Sequence, residues 1–201
     1  MILSDKTIRE KIQNCELIVE SEYWIDDILS NIACASLDLR LWNWFKFFPK
    51  DNTKVLNLDK TKIHLEERFI PDGEHLILQP GEFVLWATKE KVWIPEDIVA
   101  RVEWRSSIWR LGILIHVTAW FIDPGFGLSS PSTITLEIKN INTVPVALKV
   151  GSRVCQLALE IMNEPAQIPY HKKKSAKYNG QIKPEISNIE KDPDKNLENL
   201  K

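Results

Sequence analysis

A mainly β chain, built as a sandwich or barrel rather than a parallel α/β sheet, is what the sequence predicts. Two observations carry this. From Leu78 onward, segment after segment alternates apolar and polar residues with period two. Clusters of Pro, Gly and Asn separate those segments, with no long helical pattern between them. The size fits one domain with a tail: 201 residues, 44% hydrophobic and 27% charged, which is ordinary globular composition.

Taken in order, Ser4 is placed to cap a helix over residues 5–13, with Ile8 and Ile12 on one face. The span from Asp51 to Asp72 is polar and reads as a long, elaborated connection. Gln79-Pro80-Gly81-Glu82 is a turn, followed by a strand over 83–88. Further strands are predicted where Ile98, Ala100, Val102 and Trp104 alternate with Val99, Arg101 and Glu103, and where Ile113, Ile115 and Val117 alternate with Leu114, His116 and Thr118. The same pattern recurs at Ile134, Leu136 and Ile138, and at Cys155, Leu157, Leu159 and Ile161. From about Asn188 the chain is Lys-, Glu-, Asp- and Asn-rich and nearly devoid of large apolar groups. Such a stretch cannot offset its ordering entropy by burial. The expected organisation is therefore one domain, 1–187, with a disordered tail, 188–201.

Charge and composition exclude several function classes. The formal net charge is −2, unlike the basic balance of a nucleic-acid binder held by phosphate contacts. Apolar runs end well before the ~18 residues of a membrane span, and the first residues lack the features of a secretory signal. Three scattered cysteines argue against a disulfide framework. A cytoplasmic protein is expected. His64-Leu65-Glu66 lacks the Pro-Cys-x-x-Cys that would complete a zinc deaminase signature, and no Gly-rich phosphate loop or Gly-x-Ser-x-Gly elbow occurs.

Four places stand out chemically. If Ile134, Leu136 and Ile138 face the core, Glu137 lies on the opposite face with Thr133 and Thr135, as a solvated carboxylate or a general acid/base. Arg105-Ser106-Ser107-Ile108-Trp109-Arg110 sets two arginine forks around two hydroxyls, a surface turn or a phosphate cradle. Asp123-Pro124-Gly125-Phe126 is a tight turn with a carboxylate at its mouth. Between Tyr170 and Gln181, four lysines alternate with Tyr170, His171 and Tyr178, either solvated or closing over an anion.

In order, these segments resemble the dCTP deaminase branch of the dUTPase-like superfamily. The opening Met1-Ile2-Leu3-Ser4-Asp5-Lys6, the segment Ala35-Ser36-Leu37-Asp38-Leu39-Arg40-Leu41, and Gln79 to Leu85 followed by Thr88-Lys89-Glu90 are similar to that family. The most specific part is Arg105 to Gly112, then His116-Val117-Thr118-Ala119, Ile122 to Phe126 and Thr135-Leu136-Glu137. Gln156-Leu157, Tyr170, Lys177-Tyr178 and Gln181 complete the match.

The resemblance implies a mainly β, distorted β-barrel or jelly-roll-like subunit of dUTPase type with a few short helices. It also implies a homotrimer with nucleotide sites at subunit boundaries. The implied activity is zinc-independent hydrolysis of dCTP to dUTP and ammonia. The alternatives are a bifunctional form yielding dUMP and diphosphate, or a nucleotide-binding trimer impaired in turnover. By the same resemblance Glu137, Ser106 and Arg110 are catalytic. Arg105, Ser106, Ser107, Gln156, Tyr170, Lys177 and Gln181 face the triphosphate, and Asp123 faces a sugar hydroxyl. Ile108, Trp109, Thr135 and Leu136 complete the substrate-binding set. Magnesium rides on the nucleotide, so no metal cage of protein ligands is implied. The chain departs from the family in carrying tryptophan at 42, 104, 109, 120 and 86, where glycine or another small residue is common. Trp109 and Trp120 either pack outward or narrow the pocket.

Overall fold

The computed structural model describes residues 1–22, 24–49, 64–117 and 120–191. Helix α1 is Asp5–Gln13, and it starts where the sequence says it should: the Thr7 N–H donates to Ser4 Oγ at 3.4 Å, and Ile8 and Ile12 are buried. Next come β1 (Ile18–Glu20), α2 (Ile25–Ser30), β2 (Ile32–Ala33), β3 (Ser36–Phe47), β4 (Glu66–Phe69), β5 (His75–Leu78) and β6 (Phe83–Trp93). The second half holds β7 (Ile98–Trp104), α3 (Ser106–Trp109), β8 (Ile113–Leu114), β9 (Phe121–Ile122), β10 (Ser132–Asn140), β11 (Val146–Lys149) and β12 (Arg153–Ile161).

All pairings are antiparallel. The main sheet runs β8-β10-β6-β3-β12-β7-β9, with β1 on β6 and both β2 and β4 on β3; β5 and β11 form a separate pair. Long β3 joins the two halves. Its first residues pair with β12 (Leu37 opposite Leu157) and its last with β6 (Phe47 opposite Val84), with a register shift between Leu41 and Phe45. One strand serving two sheet halves through a bulge is how a sandwich or barrel turns its corner. The mainly β, distorted barrel or jelly-roll-like architecture follows.

The inner face holds Leu37, Leu39, Phe45, Trp86, Val102, Leu136 and Leu157, all fully or almost fully buried. Strands 98–104, 132–140 and 153–161 match the alternation closely. Three differences have physical causes. The strand expected over 113–117 ends at Leu114, because Ile115 gives its carbonyl to the Trp86 indole N–H at 3.5 Å and His116 turns onto an aromatic ring. β3 is a strand that the expectation from Leu78 onward does not include, although Ser36-Leu37-Asp38-Leu39-Arg40-Leu41 alternates polar and apolar residues; in the fold its polar members are buried as well, Asp38 and Arg40 within ion pairs. β4 sits in the polar connection and is exposed throughout, an edge strand whose charges hide it from a hydrophobicity reading. The rest of that connection, 51–63, lies outside the described residues, as does 192–201 of the expected tail.

Candidate functional site

Glu137 lies on the non-core face of β10, as the strand phase requires. Ile134, Leu136 and Ile138 are buried on the inner side, and Thr135 and Glu137 are half-buried on the other. Fully buried Leu136 thus turns its side chain into the core. Glu137 stands opposite Leu85 of β6, and Leu85 opposite Lys46 of β3. Opposed residues in antiparallel strands share a face, so the carboxylate looks over a shallow floor made by Leu85, with Ala87 and Trp44 one row away.

Across that floor runs the segment after β12. The Thr133 N–H donates to the Gln181 carbonyl at 3.0 Å, and Gln181 Nε2 returns a hydrogen bond to the Thr133 carbonyl. The Gly180 N–H donates to Ser132 Oγ at 3.0 Å and the Glu185 N–H to Thr135 Oγ1 at 3.2 Å. Gln181 is 5% exposed, and its Oε1 has no hydrogen-bond partner among the described residues. The strap is stiffened within itself: Tyr170 Oη accepts from the N–H groups of Lys177 and Tyr178, and Tyr178 Oη accepts from the Asn188 N–H at 3.1 Å. Burial raises the Tyr170 hydroxyl's pKa, with those two N–H donors pulling the other way, so it stays a neutral phenol.

The Asp123 turn is riveted beside this strap. The Tyr170 N–H donates to the Pro124 carbonyl at 2.8 Å, and the Ile94 N–H to the Phe126 carbonyl at 2.9 Å. Gly125 sits at φ +83°, and a Cβ there would come within 2.7 Å of Pro169 Cβ and 3.1 Å of the Tyr170 amide nitrogen. Only glycine lets the two segments approach this closely. Asp123 and Tyr170 therefore belong to one rim, continued toward Gln181 and Thr135 by the strap that Tyr170 stiffens.

The second group gathers at the other end of the sheet order. Arg105 follows β7, its Nη1 donates to the Arg153 carbonyl at 2.8 Å, and its Nε lies 3.4 Å from Asp38. Asp38 also faces Arg153 at 3.6 Å and stands directly opposite Gln156. Gln156 accepts from Ser36 Oγ and donates to the Trp104 carbonyl. Ser106, Ser107, Trp109 and Arg110 on and after α3 are exposed, and Ile108 packs partly against the core. Two arginines on one nearly buried carboxylate leave net positive charge beside two free-standing hydroxyls, an environment suited to phosphate oxygens. Two strands, β6 and β3, separate β10 from β12, so Glu137 and Gln156 do not meet through the sheet of one chain.

Residue types alone did not mark Asp38 or Arg153 as parts of this group. Asp38 is flagged by sequence only as part of a family segment; its role in holding the guanidinium groups appears once β3, β7 and β12 are side by side.

An aromatic stack runs from α3 toward β10. Trp109 stacks on Trp104 with centroids 5.8 Å apart, and Trp104 on His116 at 4.9 Å. Trp109 and Trp120 are about half exposed, whereas Trp86 is fully buried. Thr118 and Ala119, which end the His116 motif, lie outside the described residues. His116 Nε2 is buried without a partner among the described residues, and burial lowers its pKa below the usual 6.5. The unfolded chain then binds this proton more readily than the folded one, so stability falls as the pH drops below about 6.5. His116→Phe preserves a stacking ring but removes that proton. Its melting temperature should decline less between pH 7 and pH 5 than the wild type's; equal slopes would refute the assignment.

Among the described residues, no three or more His, Cys, Asp and Glu side chains converge to hold a metal ion, and no helix is long and apolar enough to cross a membrane. Fold and site together define a β-barrel protein with a carboxylate on a strapped sheet face and a separate arginine-serine group. A dCTP deaminase-like family model matches residues 2–162, and the chain belongs to that family. It is 43% identical to the dCTP deaminase, dUMP-forming, of Methanobrevibacter smithii, over 95% of this chain and 96% of that protein. To the dCTP deaminase of Natronomonas pharaonis it is 40% identical, over 96% of each chain. The crystal structure of 2′-deoxycytidine 5′-triphosphate deaminase from Agrobacterium tumefaciens superposes with a TM-score of 0.57 at 27% identity. That likeness covers 80% of this chain and 47% of the other, so the chain spans about half the length of that structure.

Proposed function

We propose that the protein hydrolyses dCTP to dUTP and ammonia in the cytoplasm, as a homotrimer, with residues 1–187 as the catalytic domain. The observation that carries this reading is Glu137, half-buried on the outer face of β10 next to the strap that Gln181 and Glu185 tie to Thr133 and Thr135 of the same strand. Glu137 takes a proton from water as its oxygen bonds to C4 of the cytosine ring, then delivers a proton to the departing amine. The C4–N4 bond breaks and ammonia leaves. Ser106 and Arg110 orient the water and the carboxylate, and Ile108, Trp109 and Thr135 shape the pocket around the base, to which Leu136, its side chain in the core, offers only its main chain. Arg105, Ser107, Gln156, Tyr170, Lys177 and Gln181 bind the triphosphate, which brings its own magnesium. Asp123 accepts a hydrogen bond from the 3′-hydroxyl.

Supporting the trimer, β6 and β3 separate Glu137 on β10 from Gln156 on β12 within one chain. A neighbouring subunit would bring the arginine-serine group of one chain to the Glu137 face of another. Exposed Trp109, Leu111, Trp120, Phe121, Ile141 and Val144 supply apolar surface for such contacts.

A second reading is favoured by the Methanobrevibacter smithii relative, whose name is dUMP-forming: the chain also cleaves the triphosphate, giving dUMP and diphosphate. One incubation decides. With dCTP and magnesium, ammonia with dUTP supports the first reading and ammonia with dUMP and diphosphate the second. Tight dCTP binding without ammonia removes both and leaves a nucleotide-binding trimer. Lys177→Ala should raise KM for dCTP chiefly, because the strap lysine meets phosphates rather than the reacting carbon. A KM equal to the wild type's would count against that role.

A further inference from the structure

The strap makes one contact that neither the family segments nor the reaction accounts for. The Lys183 ammonium sits 3.9 Å from the centroid of the Trp44 indole on β3. Trp44 itself is braced edge-on by Phe69 of β4, with ring centroids 5.3 Å apart. Lys46 is opposite Leu85 and Leu85 opposite Glu137. Trp44, two residues from Lys46, therefore shares the carboxylate's face. On the far side of the same face, the Glu185 N–H is bound to Thr135 Oγ1. Buried Pro184 lies between the two anchor points. Its ring fixes its own φ and biases Lys183 toward extended backbone, so a short, stiff span bridges β3 and β10.

We propose that Trp44 is a positioning residue: its indole docks Lys183, and this contact holds the strap across the Glu137 face and so sets the affinity for the nucleotide. The inference rests on the deaminase reading for what lies beneath the strap. An ammonium over an indole face is attracted by the ring quadrupole, more strongly when partly desolvated. Trp44 is half-buried, and its contact comes from β3, whereas the hydrogen bonds to Thr133 and Thr135 come from β10. Losing it frees one side of the strap.

The test compares Trp44→Leu, Lys183→Met and Lys183→Arg in the full chain. Amide hydrogen exchange over 177–188 is followed without nucleotide, and KM and kcat for dCTP are measured by ammonia release. Trp44→Leu and Lys183→Met should speed exchange and raise KM about threefold to tenfold, the size of one partly desolvated cation–π contact. kcat should hold within about twofold, and Lys183→Arg, which keeps the cation, should restore both readouts. Unchanged exchange in Lys183→Met overturns the anchor, and faster exchange with an unmoved KM overturns its link to the nucleotide. Should Trp44→Leu fail to fold, the strap variants alone decide. If wild type releases no ammonia from dCTP, the deaminase reading fails by that result, while exchange still decides the anchor.

Discussion

Glu137→Gln is expected to lower ammonia release from dCTP by about 10³-fold, within the range a positioned general acid/base supplies, while leaving nucleotide affinity within about threefold. Glutamine matches the carboxylate in size and keeps one oxygen acceptor, but it cannot take up a proton from attacking water. The change should not disturb the fold, because β10 packs through Ile134, Leu136 and Ile138 and Glu137 projects from the other face. The measurement is ammonia release at saturating dCTP, with dCTP binding followed by titration calorimetry. A rate within tenfold of wild type would remove Glu137 from the chemistry.

Glu90→Ala should cost about 3–5 kcal/mol of folding stability, the usual loss when one partner of a buried ion pair is removed. Glu90 is 1% exposed, and its two oxygens accept from the Arg40 main-chain N–H at 2.8 Å and from Arg40 Nη1 at 2.9 Å. Arg40 also reaches Asp27 at 2.7 Å, a carboxylate nearer the solvent. Without Glu90, a nearly buried guanidinium and a main-chain donor lose their closest acceptors. The damage extends toward the phosphate-suited group, since Asp38, which holds Arg105 and Arg153, lies two residues along β3 on the same face.

The pH dependence has a definite sign. Burial raises the Glu90 pKa above 4.5, and the hydrogen bonds and charge of Arg40 only partly offset it. The folded state thus binds this proton more readily than the unfolded chain. The stability contributed by this titration is fully present below about 4.5 and is lost as the pH rises through the raised folded value. Urea melts from pH 4 to pH 7 should show the gap between wild type and Glu90→Ala narrowing upward through that window. Glu90→Gln, which keeps an acceptor for Arg40, should cost less than Glu90→Ala. Melts equal to wild type for Glu90→Ala would show that Arg40 is satisfied without it.

The sequence determined the local features whose causes are themselves local. Ser4 starts α1 because its hydroxyl meets the Thr7 N–H three residues on, and strict alternation along 98–104 and 132–140 put Glu137 on the face away from the core. Glycine at 125 was legible as a turn, though the need for it came from Pro169 and Tyr170, distant in sequence. The alternation of Ser36-Leu37-Asp38-Leu39-Arg40-Leu41 made the start of β3 legible, but only the tertiary structure revealed that its polar residues are buried too, and that β4 is a strand, because an exposed edge carries charges like any loop. The pairing of Asp38 with Arg105 and Arg153, the stacking of His116 on Trp104 and the seat of Lys183 on Trp44 were likewise invisible beforehand. Contacts of this kind depend on which strands become neighbours, and burial of apolar area across the whole chain decides that, whatever the order of residues within any one segment.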